Sequence, residues 1–134
     1  MIPVFSVVLA FDSSTARERA MGLMEFLNQQ FGARTNLNWT QCEFQQLEDR
    51  RFYTEAIDVA ASANMVILAT TDGEQLPVAV KGWMEEWLTR RNDREGALVA
   101  TVQNAGEEPK ETRVHSYLQN AAMKAGIKFF AGAF

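Results

Sequence analysis

Apolar positions along the chain fall into two kinds of pattern that take turns. The first is the run Val4-Phe5-Ser6-Val7-Val8-Leu9-Ala10-Phe11, which predicts a strand. After it Ala16, Ala20, Leu23, Met24, Leu27 and Phe31 recur at helical spacing, and Gly32 stands where a C-cap glycine is expected. Residues 37 to 44, LNWTQCEF, interleave polar and apolar positions, as an edge strand does. Leu47, Tyr53, Ala56, Ile57 and Ala60 give a second helix. Met65-Val66-Ile67-Leu68-Ala69 is apolar without interruption, the pattern of a central strand buried on both faces. Behind Pro77, a residue suited to a first helical turn, Val80, Trp83, Met84, Trp87 and Leu88 form a third helical stripe. Ala97 to Val102 predicts another central strand. The last helix follows Pro109, with Val114, Tyr117, Leu118, Ala121, Ala122 and Ala125 inward and Gly126 closing it, and Ile127 to Phe134 forms a final strand.

Strict alternation of strand and helix predicts an α/β fold: a single domain over residues 1–134 with a three-layer, doubly wound parallel five-stranded sheet. Two strongly apolar central strands and a weak second strand favour the order 2-1-3-4-5. This sequence lacks a last helix after its fifth strand, so the first helix alone is expected to cover one face, and only in part. Phe129, Phe130 and Phe134 place aromatic surface on both sides of the last strand. A patch of that kind usually marks an interface, and the expectation is a homodimer that buries this face and the last strand.

Composition sharpens the class. The chain has 134 residues, 47% hydrophobic and 22% charged, which fits a globular protein with an ordinary core. A net charge of −4 argues against a nucleic-acid partner. Arg90, Arg91 and Arg94 cluster, but Asp93 and Glu95 interrupt them, which reads as a solvated helix end. No apolar stretch is long enough to span a bilayer, and the opening MIPVFSVVLAF lacks the basic region of a signal peptide. Cys42 is the only cysteine, so an intrachain disulfide and a cysteine-cluster metal site are excluded, and a cytoplasmic location fits best. His115, the only histidine, reads as a helix-surface residue.

In an open parallel sheet of this order, ligands bind beyond the carboxyl ends of strands one and three. Three loops converge there: Asp12 to Thr15, Thr70 to Gln75, and Gln103 to Gly106. Ser13, Ser14 and Thr15 sit at a helix N-terminus, where unpaired N–H groups and the helix dipole favour an anion such as phosphate. Thr15-Ala16-Arg17-Glu18 also reads as a capping box, which needs no ligand, and Asp12 would repel a phosphate. Trp83 and Trp87 lie within a clean helical stripe and read as core; Trp39 reads as packing. Glu85 and Glu86 are adjacent on one helix and do not face each other.

The stretch ANMVILATTDGEQLPVAVKGWMEEW resembles the third strand, loop and helix of the flavodoxin-like NAD(P)H-dependent FMN reductases. The likeness runs through Ala63, Ala69-Thr70, Pro77, Val80, Lys81 and Glu85. More loosely, SSTARERA is similar to the phosphate loop of flavodoxins, and EGALVATVQNAG and SYLQNAAMKAGIKFF resemble the family's fourth strand and last helix–strand unit. The resemblance implies FMN, with NAD(P)H as electron donor, held by Ser13, Ser14, Thr15 and Arg17 on the phosphate. Thr70, Thr71, Asp72 and Gly73, with Asn104, Ala105 and Gly106, would then surround the ring. The chain departs from the family in three places. Its Pro-Glu-Tyr is Thr70-Thr71-Asp72 here, the glycine-asparagine of the phosphate loop is Ala16-Arg17, and the last helix is missing.

Three readings stay open. One is a small flavin oxidoreductase in which the cofactor carries the electron chemistry. Another is a non-catalytic flavodoxin-like domain that works by dimerisation or partner binding. The third is a receiver domain, disfavoured because Asp12 stands alone, Asp72 lies beyond the strand, and Lys128 comes too early.

Overall fold

The computed structural model describes residues 4–31, 36–72, 74–91, 96–102 and 112–131. The strands are β1 (Val4–Phe11), β2 (Asn36–Glu43), β3 (Met65–Thr70), β4 (Ala97–Val102) and β5 (Lys128–Ala131). The helices are α1 (Ser14–Phe31), α2 (Arg50–Ser62), α3 (Val78–Arg90) and α4 (Arg113–Ala125). All four strand pairings are parallel, in the order β2-β1-β3-β4-β5. This is a flavodoxin-like α/β fold.

Side-chain alternation along the central strands divides the core in two. Val8 and Ala10 of β1, Val66 and Leu68 of β3, and Leu98 and Ala100 of β4 pack with α2, α3 and α4. Val7 and Leu9, Ile67 and Ala69, and Val99 point the other way, against Ala16, Ala20, Leu23 and Met24 of α1. Burial on both faces explains why these strands read as continuous apolar runs. The α3 stripe is wholly buried, with Trp83 and Trp87 tilted against each other at 6.0 Å between ring centroids. Trp39 packs on the α1 side.

Several local expectations shift. Helix α1 begins at Ser14, and the Ser13 hydroxyl accepts the Ala16 N–H at 3.2 Å. The cap is therefore Ser13, and the expected Thr15–Glu18 capping box lies inside the first turns. Leu47 belongs to a 3-10 turn, Phe44–Glu48, and not to α2. Helix α2 restarts because the Asp49 carboxylate accepts the N–H groups of Arg51 and Phe52. Pro77 occupies the N-cap of α3, its carbonyl accepting from Val80 and Lys81. Gly126 closes α4 in the left-handed conformation, φ 74°. Gly32, Pro109, Phe134 and the side chains of Leu27 and Phe31 lie outside the described residues.

Arg91 corrects the reading of a solvated arginine cluster. It is buried at the end of α3, and its Nη1 donates to the carbonyls of Ala60 (3.2 Å), Ala61 (3.4 Å) and Ala63 (2.7 Å), capping α2. A cation at a helix C-terminus meets the negative end of the dipole. Arg90 pairs with Asp58 at the surface, and Arg94 lies outside the described residues.

The described residues of the α1 face are unevenly covered. Val99 and Thr101 of β4 are buried there, whereas Phe130, registered with Val99 on edge strand β5, is 51% exposed. Phe129 faces the other way and stacks on half-buried His115 at 5.4 Å. Among the described residues no helix is long and apolar enough to cross a membrane, and no three His, Cys, Asp or Glu side chains gather to hold a metal.

Candidate functional site

Strand order β2-β1-β3-β4-β5 reverses between β1 and β3, so the loops leaving these two strands meet at one crevice. Phe11 registers with Ala69, which brings Asp12 level with Thr70. Asp12 then ties the loops together. Its Oδ2 accepts three hydrogen bonds, from the Thr70 hydroxyl (2.8 Å), the Thr71 N–H (2.8 Å) and the Thr71 hydroxyl (3.0 Å). The Asp12 N–H in turn donates to the Ala69 carbonyl at 3.3 Å. Its second carboxylate oxygen, Oδ1, is buried and accepts no hydrogen bond from the described residues.

Asp72 shapes the rest of the loop. Its N–H donates to the Thr70 hydroxyl oxygen at 3.1 Å. Its Oδ1 accepts the N–H groups of Glu74 (2.8 Å) and Gln75 (3.3 Å), an Asx turn that leads the chain into α3. Between these groups lies a cleft of about 270 Å³, lined by Asp12, Phe44, Thr70, Asp72, Gln75, Leu76 and Pro77.

The phosphate-loop candidates sit at the start of α1. The Ser13 hydroxyl is occupied by its cap, and Ser14 and Thr15 are exposed. Arg17 is half-buried and its Nε donates to Gln41 of β2 at 2.7 Å. Gln41 registers with Leu9, whose side chain is on the α1 side, so Arg17 is held away from the cleft. The fold thus brings Ser13, Ser14, Thr15, Thr70, Thr71 and Asp72 to one edge and directs Arg17 to β2. Gly73, Asn104, Ala105 and Gly106 lie outside the described residues. Phe44, Gln75 and Leu76 line the cleft without having stood out in the sequence. Phe44 comes from the 3-10 turn beyond β2, and only the register of β1 with β2 brings it there.

Two further hollows flank α3. One of about 430 Å³ is lined by Glu74, Gln75, Leu76, Lys81, Arg113, Val114 and Tyr117. The other, about 630 Å³, runs between α3 and α4 over Leu88, Ala121 and Ala125. Tyr117 stands between them and donates to Glu85 at 3.2 Å, with the Lys81 ammonium 5.5 Å from its ring centre. Burial, the Glu85 charge and that hydrogen bond push the Tyr117 hydroxyl up to about 12, so it stays a hydrogen-bond donor.

No protein-family model matches the sequence, and no curated protein matches it significantly. Solved structures do resemble it in fold. A flavodoxin-like domain from a Synechococcus species superposes with a TM-score of 0.58 at 15% identity, over 96% of this chain and 83% of that one. The two-electron reduced flavodoxin of Megasphaera elsdenii gives 0.60 at 12% identity, over 96% and 84%. An azoreductase from Bacillus anthracis gives 0.55 at 10% identity, over 95% and 85%. At such identities the likeness is one of fold.

The site can be tested directly against FMN. A phosphate at the first turn of α1 would lie beside the fixed Asp12 carboxylate, and like charges repel. The flavin ring would meet Thr71 and Asp72, a hydroxyl and a carboxylate, where an apolar or aromatic contact is wanted. The described side chains do not fit the group, although the fold agrees with it.

Proposed function

We propose that the chain is a flavodoxin-like domain that works by binding, as a homodimer in the cytoplasm, without flavin chemistry of its own. The observation that carries this reading is the Asp12 bridge. A carboxylate locked by three hydrogen bonds occupies the place where an anionic cofactor would need neutral or positive partners. Fold alone leaves the function open. Support for the dimer comes from edge strand β5 and from Phe130 and Phe26, each about half exposed on β5 and α1. The free and buried Cys42 is in keeping with a reducing compartment. The test is a purified protein that is colourless, has a Tm unmoved by excess FMN, and scatters light as a dimer.

A second reading keeps the small FMN-binding, NAD(P)H-dependent oxidoreductase. What favours it is the convergence of Ser13, Ser14 and Thr15 with Thr70, Thr71 and Asp72 at the switch in strand order. Gly73, Asn104, Ala105 and Gly106 would complete that cradle, and Arg17 would leave Gln41 for the phosphate. A protein that purifies yellow would favour this reading.

A further inference from the structure

We propose that the groove between α3 and α4 binds a small linear zwitterion, an ammonium and a carboxylate joined by an apolar chain about 10 Å long. The groove shares no lining residue with the crevice at β1 and β3, so its occupant does not depend on whether that crevice holds a flavin.

Topology shapes the groove. All the strands are parallel, so the helices that return the chain from β3 to β4 and from β4 to β5 run in the same direction. Each helix offers one stripe to the space between them, with Glu85, Leu88 and Thr89 on α3 facing Tyr117, Ala121 and Ala125 on α4. Leu88 is buried and the two alanines are half-buried, which gives the groove an apolar floor. The alanines also keep it open, because a longer side chain at either position would fill it. At about 630 Å³ the groove falls within the usual range for small-ligand sites, roughly 300–1,000 Å³.

Its two ends carry opposite charge. The hydrogen bond from Tyr117 to Glu85 sets these residues level with each other at one end. Tyr117 keeps its proton, with the hydroxyl pushed up to about 12, so this bond persists at neutral pH. The Glu85 carboxylate has room for further donors. Lys81, the other cation near this end, lies over the Tyr117 ring and lines the neighbouring hollow. At the opposite end stand Asn120 and Lys124, both exposed. Among the described residues neither of these side chains has a hydrogen-bond or ion-pair partner. Between positions 117 and 124 the helix rises about 10 Å, at 1.5 Å per residue.

Charge complementarity follows from that order. An ammonium suits the Glu85 end, and a carboxylate suits the Lys124 ammonium and the Asn120 amide. Methylene groups between them would cover Leu88, Ala121 and Ala125. A fatty acid or an alkylamine would leave one end of the groove unanswered, and a short zwitterion could not reach both.

The test is a titration of the unaltered chain with 8-aminooctanoate, which spans both ends when extended. Octanoate, octylamine and 4-aminobutanoate are the controls for charge and length. Binding is read from the backbone amide signals of Leu88, Ala121 and Lys124 in two-dimensional NMR. The full-length zwitterion is expected to shift them saturably with a Kd on the order of 1 mM, reasonable for about eleven heavy atoms. Octanoate and octylamine are expected to bind about fivefold more weakly, as the loss of one exposed ion pair allows, and 4-aminobutanoate to leave the signals in place. Ala121→Leu is expected to abolish the shifts while the signals of β1 and β3 stay where they are. Lys124→Gln, at an exposed helical position, and Glu85→Gln, which keeps an oxygen for Tyr117, are each expected to weaken binding by about fivefold. Octanoate or octylamine binding as tightly as 8-aminooctanoate would overturn the proposal. So would shifts that survive Ala121→Leu, or a zwitterion that moves none of these signals at tens of millimolar.

Discussion

Asp12 and Thr71, 59 residues apart in sequence, are joined through one carboxylate oxygen, which accepts both the N–H and the hydroxyl of Thr71. The same oxygen accepts from Thr70, so one side chain closes the gap between the loops leaving β1 and β3. Asp12→Ala strands three donors and is expected to lower stability by about 2–3 kcal/mol, read from urea unfolding. Asp12→Asn keeps an acceptor oxygen and is expected to lose less. Faster amide exchange at Thr71 in the alanine variant, with the core strands unchanged, would locate the loss at the bridge.

The architecture was legible in the sequence because both faces of β3 and β4 are buried, and a strand buried on both faces writes itself as an unbroken apolar run. The local breaks were harder. Leu47 fits the α2 stripe by spacing, yet Asp49 caps a new helix start and leaves Leu47 in a 3-10 turn. Arg91 looked like one charge in a solvated cluster. Its burial follows from where the end of α2 lies, some thirty positions away, which no local pattern records. Asp12 carried a clearer signal: an acid directly after one central strand and two threonines at the end of the apolar run of another, which neighbour each other in this strand order.

Arg91 caps α2 and fills the space above Gly96, where an added Cβ would run into the guanidinium. Arg91→Ala leaves carbonyls of α2 without their donor and is expected to cost about 3 kcal/mol or more. Gly96→Ala is expected to cost about 1–3 kcal/mol by forcing the guanidinium aside. In the double variant the methyl enters vacated space, so the combined loss measured in urea should fall short of the sum.

Cys42 is buried in β2, and burial pushes its thiol from 9.0 up to about 12. The folded chain keeps this proton where the unfolded chain releases it, so the contribution is fully present below pH 9.0 and is lost as pH rises towards about 12. Across that window the slope from this group is about −1.4 kcal/mol per pH unit. Tyr117 adds to the loss in the same direction at the alkaline end. Cys42→Val is expected to flatten the decline in stability above pH 9.0, measured by denaturant unfolding at stepped pH.

Phe130 stands half exposed on the α1 side of the edge strand. In the proposed dimer it is covered by the second copy, so Phe130→Arg is expected to shift light scattering from dimer to monomer without lowering helix content. An unaltered chain that is monomeric at micromolar concentration would contradict the dimer outright.

The most direct test of the account is a fluorescence titration of FMN with the 134-residue chain. The Asp12 bridge predicts that flavin emission stays unquenched up to tens of micromolar protein. Saturable quenching with a Kd of about 1 μM or below, equivalent to roughly −8 kcal/mol of binding, would contradict it and restore the crevice as a flavin site.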